Sequence, residues 1–452
     1  MTQLFFDHAL LPDGWAKNVR IDVAPDGRID RITTAASPTG AGVQGHIAVA
    51  GMPNLHSHAF QRAMAGLAET KGPLDNSFWT WRQTMYKFLE HLTPDDLLAI
   101  AGQLYIEMLE TGFTSVAEFH YLHHDPAGMP YHDIGEMAAA LARAATDSGM
   151  GITFLPVFYT NNGFGGEPPS DRQRRFITTP DSFARLHQRT VEISRTVPDA
   201  RVGIAPHSLR ALTPEGLTAI LPLAGDGPVH IHIAEQRKEV TECQTWSGLR
   251  PVDWLLHQVG IDARWCLVHA THLTADERRR LAGSGAVAGL CPTTEADLGD
   301  GIFAAVPFLR DGGCFGIGSD SNVRVSVAEE LRLLEYSQRL RDQGRNLLTE
   351  TGSTGRSLFE HALTGGERAV GRRVGRLSAG YRADIVSLDA DHPALMCRTG
   401  DDWLDGWIFA GDNRVVSDVW VGGRHVVRNG RHFGREPARR AYGNTLQRIL
   451  NR

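Results

Sequence analysis

Eight short apolar runs, separated by stretches of helix-type sequence, constrain this chain more than any other feature. They occupy 47–55, 113–119, 151–159, 202–206, 229–234, 266–268, 286–290 and 315–319. Continuous apolar runs of this length read as strands buried on both faces. Between them, Thr93-Pro94-Asp95-Asp96 opens one amphipathic run, and Thr274 precedes Glu277 at capping-box spacing in another. Eight strands alternating with helices predict an α/β chain built on a (β/α)8 barrel of the TIM type, here spanning 49–375.

The two ends of the chain read differently. Residues 1–48 alternate apolar and polar, as in Val19-Arg20-Ile21-Asp22-Val23, and Asp26-Gly27 marks a hairpin turn. Residues 376–452 carry matching runs, among them Ile385-Val386-Ser387-Leu388 and Val419-Trp420-Val421. Neither piece has enough apolar surface to stand alone. Together they predict a small β-sandwich domain formed by both chain termini.

Several barrel runs end in residues suited to metal binding or proton transfer. The first ends in His56-Ser57-His58, whose two imidazoles share one face of an extended strand. Two imidazoles so placed can share a metal ion. The fifth carries His230 and His232 with Glu235 just beyond, the sixth leads into His269, and the eighth into Asp320. Barrel enzymes place their chemistry at the C-terminal ends of strands, where these residues fall. His230 lies one strand repeat deeper than His232 and reads as a supporting or core residue.

Composition excludes several function classes. A net charge of −6, with the 46 Lys and Arg dispersed, argues against a nucleic-acid partner. No apolar stretch reaches spanning length and the start has no signal-peptide pattern, so no membrane association and a cytoplasmic location are expected. The cysteines Cys243, Cys266, Cys291, Cys314 and Cys397 are widely spaced and read as free thiols of a reducing compartment.

The order His-x-His, His-x-x-Glu, His and Asp at successive strand ends resembles the amidohydrolase superfamily. The wording Leu55-His56-Ser57-His58-Ala59-Phe60-Gln61-Arg62-Ala63-Met64-Ala65-Gly66 resembles, within it, the formimidoylglutamate deiminases. The resemblance covers essentially the whole chain. It implies one divalent metal ion held by His56, His58, His232 and Asp320; three imidazoles and a carboxylate suit Zn²⁺, and Fe²⁺ or Mn²⁺ could occupy the same shell. Two-metal relatives bridge their ions with a modified lysine on a middle strand, and 151–159 and 202–206 contain no lysine. A single ion is therefore expected. Such an ion activates water at neutral pH. Asp320 is expected to accept the water proton, Glu235 to carry protons to the leaving nitrogen, and His269 to orient the nucleophile or stabilise charge.

Substrate choice must come from the residues around the ion. Gln61, Arg82, Tyr121, His207 and Arg210 follow strand ends or lie in the aromatic-rich, lid-like stretch 71–82. Two arginines and a tyrosine suit a small diacid, because guanidinium forks bind carboxylates bidentately. The resemblance implies N-formimino-L-glutamate, converted to N-formyl-L-glutamate and ammonia in histidine degradation, by a homodimer. A deaminase of a ring amine (guanine, cytosine or an adenosine derivative) would use the same metal set. A non-catalytic scaffold of this fold would be expected to have lost ligands, and none is missing.

Overall fold

The structure is a computed structural model that describes residues 2–38, 45–70 and 78–451. Eight parallel strands make the barrel: Met52–Ser57, Phe113–His120, Gly151–Phe158, the pair Arg201–Val202 and Ala205–Pro206, Val229–Ile233, Trp265–His269, Val287–Leu290 and Cys314–Ile317. The first four form one ladder and the last four another. Parallel bridges Ile204 to Val229 and Ser208 to His232 join the ladders on one side. Ser57 to Asp320 joins them on the other, so the ring closes. Both closures lie at or beside residues singled out from the sequence, and they fix the spacing of those side chains.

The run 47–55 proves to be two strands in two sheets. Gly45–Ala50 belongs to the terminal sheet, between Thr2–Leu11 and Ile385–Leu388, whereas Met52–Ser57 opens the barrel. The chain changes sheets at Gly51, where a Cβ would lie 2.2 Å from Thr114 Oγ1. Glycine permits that close approach. The run 202–206 is also broken: at Gly203 a Cβ would lie 2.2 Å from the Pro228 carbonyl oxygen. Apolar character alone marks neither break.

Both termini contribute to one eight-stranded ladder, in which the pair Thr2–Leu11 and Gly45–Ala50 is parallel and the remaining pairs antiparallel. Its buried side chains include Phe6, Val19, Ile21, Val49, Ile385, Val419 and Trp420. The last element is a helix, Arg435–Leu450, which the alternating pattern at the chain ends does not predict. It rests against the barrel helix Pro94–Glu110 through an Arg448–Asp96 ion pair, and Tyr442 donates to the Arg62 carbonyl at 3.2 Å. The two capping signals hold: Thr93 with Asp96, and Thr274 with Glu277, form reciprocal capping boxes.

Of the lid-like stretch, 71–77 lies outside the described residues. Its remainder, from Phe78 on, belongs to a helix, Phe78–Leu89, anchored by buried Met85, Tyr86 and Leu89. The expectation of a lid-like loop over 71–82 therefore fails from Phe78 on, because these three recur at helical spacing on the core side.

Helix Thr354–Val370 crosses the eighth strand very closely. A Cβ on Gly365 would sit 1.9 Å from the Phe315 carbonyl oxygen, with backbone on both sides of the contact. Gly365→Ala must push the helix off the barrel. Overpacking of this kind costs about 1–3 kcal/mol, so the variant should melt several degrees lower. An unchanged melting temperature would mean that helix and strand can separate freely.

Candidate metal centre and active site

Three strand ends place four polar side chains in one buried cluster. His56 Nε2 lies 3.2 Å from His58 Nε2 and 3.0 Å from His232 Nε2. Asp320 Oδ1 lies 3.4 Å from His56 Nε2 and 3.2 Å from His58 Nε2. Sharp backbone turns aim these groups. Ala234, His269, Ala270 and Asp320 all take positive φ, between 45° and 66°. That conformation costs about 1–3 kcal/mol in non-glycine residues and persists only where the surroundings impose it. The Glu239 carboxylate accepts the N–H groups of Ala234 at 3.1 Å and Glu235 at 3.0 Å. At the other turn, Asn322 Nδ2 donates to the Asp320 carbonyl at 2.8 Å and to that of His58 at 3.1 Å.

The cluster fits a cation on its own chemistry. His58 Nδ1–H donates to the Phe119 carbonyl at 2.8 Å, and His232 Nδ1–H to the His207 carbonyl at 3.1 Å. Each bond fixes the tautomer and leaves a lone pair on Nε2. A proton on His56 Nε2 could serve only one of its three close neighbours. Burial lowers His56 to about 3 and, with the neighbouring imidazoles, holds His232 far below the ordinary histidine value, so neither takes up a proton readily. Lone pairs converging at 3.0–3.4 Å without protons between them repel unless a positive ion lies among them. The four ligand atoms all fall within 4.8 Å of one another.

Beside this cluster, His269 Nε2 lies 3.8 Å from Glu235 Oε1 and 3.7 Å from Asp320 Oδ2. Its Nδ1–H faces Glu295 Oε1 at 3.2 Å. Burial works against protonation of His269, but Glu235, Glu295 and Asp320 outweigh it and hold the ring well above its ordinary pKa. Burial raises Glu235, with Asp320 adding to the effect and His269 and Arg210 opposing it.

A small cavity of about 50 Å³ opens on this group. Its wall contains every substrate-contact candidate read from the sequence: Gln61, Arg82, Tyr121, His207 and Arg210. Gln61 Nε2 donates to the Tyr121 hydroxyl at 3.1 Å, and Arg82 donates to the Tyr159 hydroxyl at 2.9 Å. His207 is held neutral by burial and by the nearby Arg210 and Arg82 charges. A much larger cavity, about 1050 Å³, lies away from this group against Arg62, Glu107, Glu110, Arg414 and Arg435. Size favours that one, but the convergent strand ends favour the smaller, and the chemistry decides for it.

Sequence reasoning missed the residues that hold the site in shape. Glu239 and Glu295 each sit in the first turn of a helix, Arg237–Ser247 and Pro292–Leu298. There a carboxylate ordinarily reads as a favourable charge near the helix N-terminus. Asn54, which bonds Ser319 from the first strand at 2.6 Å, reads in sequence only as a polar interruption of an apolar run. His230 is buried below the cluster, and its Nε2–H donates to the Ala369 carbonyl at 2.8 Å, as a core histidine.

Residues 47–426 match the amidohydrolase family, and residues 1–45 match the description "Formimidoylglutamate deiminase HutF, N-terminal domain". The chain belongs to the amidohydrolase family. Among curated amidohydrolase relatives, a formimidoylglutamate deiminase from Pseudomonas aeruginosa is 51% identical, with both chains covered over their full length. An 8-oxoguanine deaminase from the same organism is 29% identical, over 90% of this chain and 89% of its own. Among solved structures, an amidohydrolase from Brucella melitensis superposes with a TM-score of 0.96 at 52% identity, covering 100% of both chains.

Proposed function

We propose that this amidohydrolase hydrolyses N-formimino-L-glutamate to N-formyl-L-glutamate and ammonia, a step of histidine degradation. The observation that carries the reading is the cavity itself, in which two guanidinium groups, Arg82 and Arg210, share one wall with the His-Asp cluster. The substrate has the matching parts: two carboxylates and one amidine carbon. Full-length identity of 51% to a curated formimidoylglutamate deiminase supports the same substrate, as does the match of the N-terminal segment.

His56, His58, His232 and Asp320 are the residues that would hold a single divalent cation, Zn²⁺ suiting the donor set best. Such an ion supplies Lewis-acid chemistry, lowering the pKa of water from about 15.7 to near 7. The chain's own groups do the rest. Arg82 and Arg210 anchor the carboxylates, and Gln61, Tyr121 and His207 fix the chain between them. Asp320 Oδ2 takes the proton of the attacking water. Oxygen adds to the amidine carbon, and Glu235 delivers a proton to the departing nitrogen. The C–N bond breaks and ammonia leaves, with His269 within reach of both carboxylates to balance charge as it develops. Among the described residues no helix is long and apolar enough to cross a membrane. The five cysteines are free, which supports a reducing, cytoplasmic setting, and we assign a homodimer by likeness to the family.

Arg210→Met tests the substrate. Loss of a buried, charge-assisted carboxylate contact costs on the order of 2–5 kcal/mol. At roughly 1.4 kcal/mol per decade, that is about thirty- to several-thousand-fold in kcat/KM. The loss should appear with the diacid and be small for a neutral formimino compound, with Arg82→Met as the comparison. If Arg210→Met releases ammonia from the diacid at close to the unmodified rate, while the protein deaminates guanine or cytosine, a ring-amine deaminase takes its place.

A further inference from the structure

Metal-type donors at these strand ends extend past His56, His58, His232 and Asp320. Ligand atoms of His269, Cys291 and Asp320 also fall within 4.8 Å of one another, and all three residues are buried. Cys291 follows the seventh strand, at the start of helix Pro292–Leu298. One oxygen, Glu295 Oε1, accepts both the Cys291 backbone N–H at 2.9 Å and His269 Nδ1–H at 3.2 Å. That oxygen ties the cysteine to the histidine and leaves His269 Nε2 turned toward Asp320 Oδ2 at 3.7 Å. Asp320 divides its oxygens between two groups: Oδ1 lies against His56 and His58, while Oδ2 faces His269.

We propose that His269, Cys291 and Asp320 Oδ2 form a second cation site beside the first, taking a thiophilic divalent ion (Cd²⁺, or Zn²⁺ in excess) and switching the enzyme off. A thiol, an imidazole and a carboxylate form a donor set for borderline and soft ions; Mg²⁺ and Ca²⁺ prefer all-oxygen shells. On binding, the Cys291 S–H and His269 Nε2–H bonds break, the freed sulfur and nitrogen lone pairs bond to the ion, and both protons pass to the buffer. No oxidant or reductant is needed. The occupied site ties up His269 Nε2 and Asp320 Oδ2, which the proposed reaction uses. The inhibitory part rests on the deiminase reading; the binding part does not.

The test uses the full chain carrying its first metal ion, in a Cys397→Ser background because Cys397 is an exposed thiol. Cd²⁺ is titrated while sulfur-to-cadmium charge-transfer absorbance, bound metal and ammonia release are followed. One further equivalent should bind, with the absorbance rising as activity falls below a tenth, and Mg²⁺ should produce neither effect. Even an outer-shell change costs about 10–100-fold in metal affinity. Cys291→Ser should therefore abolish the absorbance and raise the half-inhibiting concentration at least about a hundredfold, measured against that variant's own activity. His269→Asn, inactive but scored by absorbance, should bind Cd²⁺ at least about tenfold more weakly. Unchanged absorbance in Cys291→Ser, or no further equivalent bound, overturns the proposal. Cys291-dependent binding in a protein that never deiminates N-formimino-L-glutamate leaves the cation site standing and removes the deiminase reading instead.

Discussion

His232→Ala is expected to purify without stoichiometric metal and to lose deiminase activity, and His56→Ala to do the same. Each removes one of three imidazole nitrogens that meet at 3.0–3.2 Å. Loss of an outer-shell partner already weakens metal sites about 10–100-fold, and removal of a direct ligand should cost more. Lewis-acid stabilisation is worth several kcal/mol, so at roughly 1.4 kcal/mol per decade the rate should fall by at least about a thousandfold. The variants need a control for folding, because both histidines are buried. His230→Gln supplies it: the side chain lies on the same strand, bonds a core carbonyl, and does not line the cavity. It should keep its metal. Metal content by elemental analysis, with the circular dichroism spectrum of each variant, decides the matter. Full stoichiometry in His232→Ala would remove that residue from the ligand set.

The grouping of His56, His58, His232 and Asp320 was legible in the sequence because strand geometry is simple. Alternation puts His56 and His58 on one face, and a parallel barrel brings every strand's C-terminal end to one rim. The apolar runs located the strands, although not their breaks at Gly51 and Gly203, where a nearby side chain or carbonyl forbids a Cβ. Such close approaches depend on the partner segment and leave only a glycine behind in the sequence. The supporting carboxylates were hidden for a different reason. Glu239 and Glu295 act on backbone N–H groups at strand ends, and Glu295 also on an imidazole 26 residues away in sequence. Nothing in their local sequence separates that role from ordinary charge at a helix start. The closing helix Arg435–Leu450 escaped because its polar sequence buries little: Thr445 is its one buried residue.

Glu235→Gln should keep its metal and bind the diacid while losing most of its turnover. Carboxylate and amide are nearly isosteric, so the substitution removes proton-carrying capacity and little else. The Glu235 backbone N–H is held by Glu239, and His269 Nε2 stands 3.8 Å from the Glu235 carboxylate, beyond direct hydrogen-bond length. A positioned general acid contributes about 10²–10⁴-fold, and kcat should fall by that factor with KM little altered. Burial gives the physical reason to expect so much from one residue. It raises the Glu235 pKa, so the carboxyl gives up its proton less readily to water than an exposed one and holds it for the departing nitrogen. Glu239→Gln makes the contrast. It weakens acceptance of the Ala234 and Glu235 N–H groups and should shift KM and kcat together by loosening the turn. If Glu235→Gln instead turns over within tenfold of the unmodified protein, proton delivery to nitrogen belongs to Asp320 or His269, and Glu235 only shapes the cavity wall.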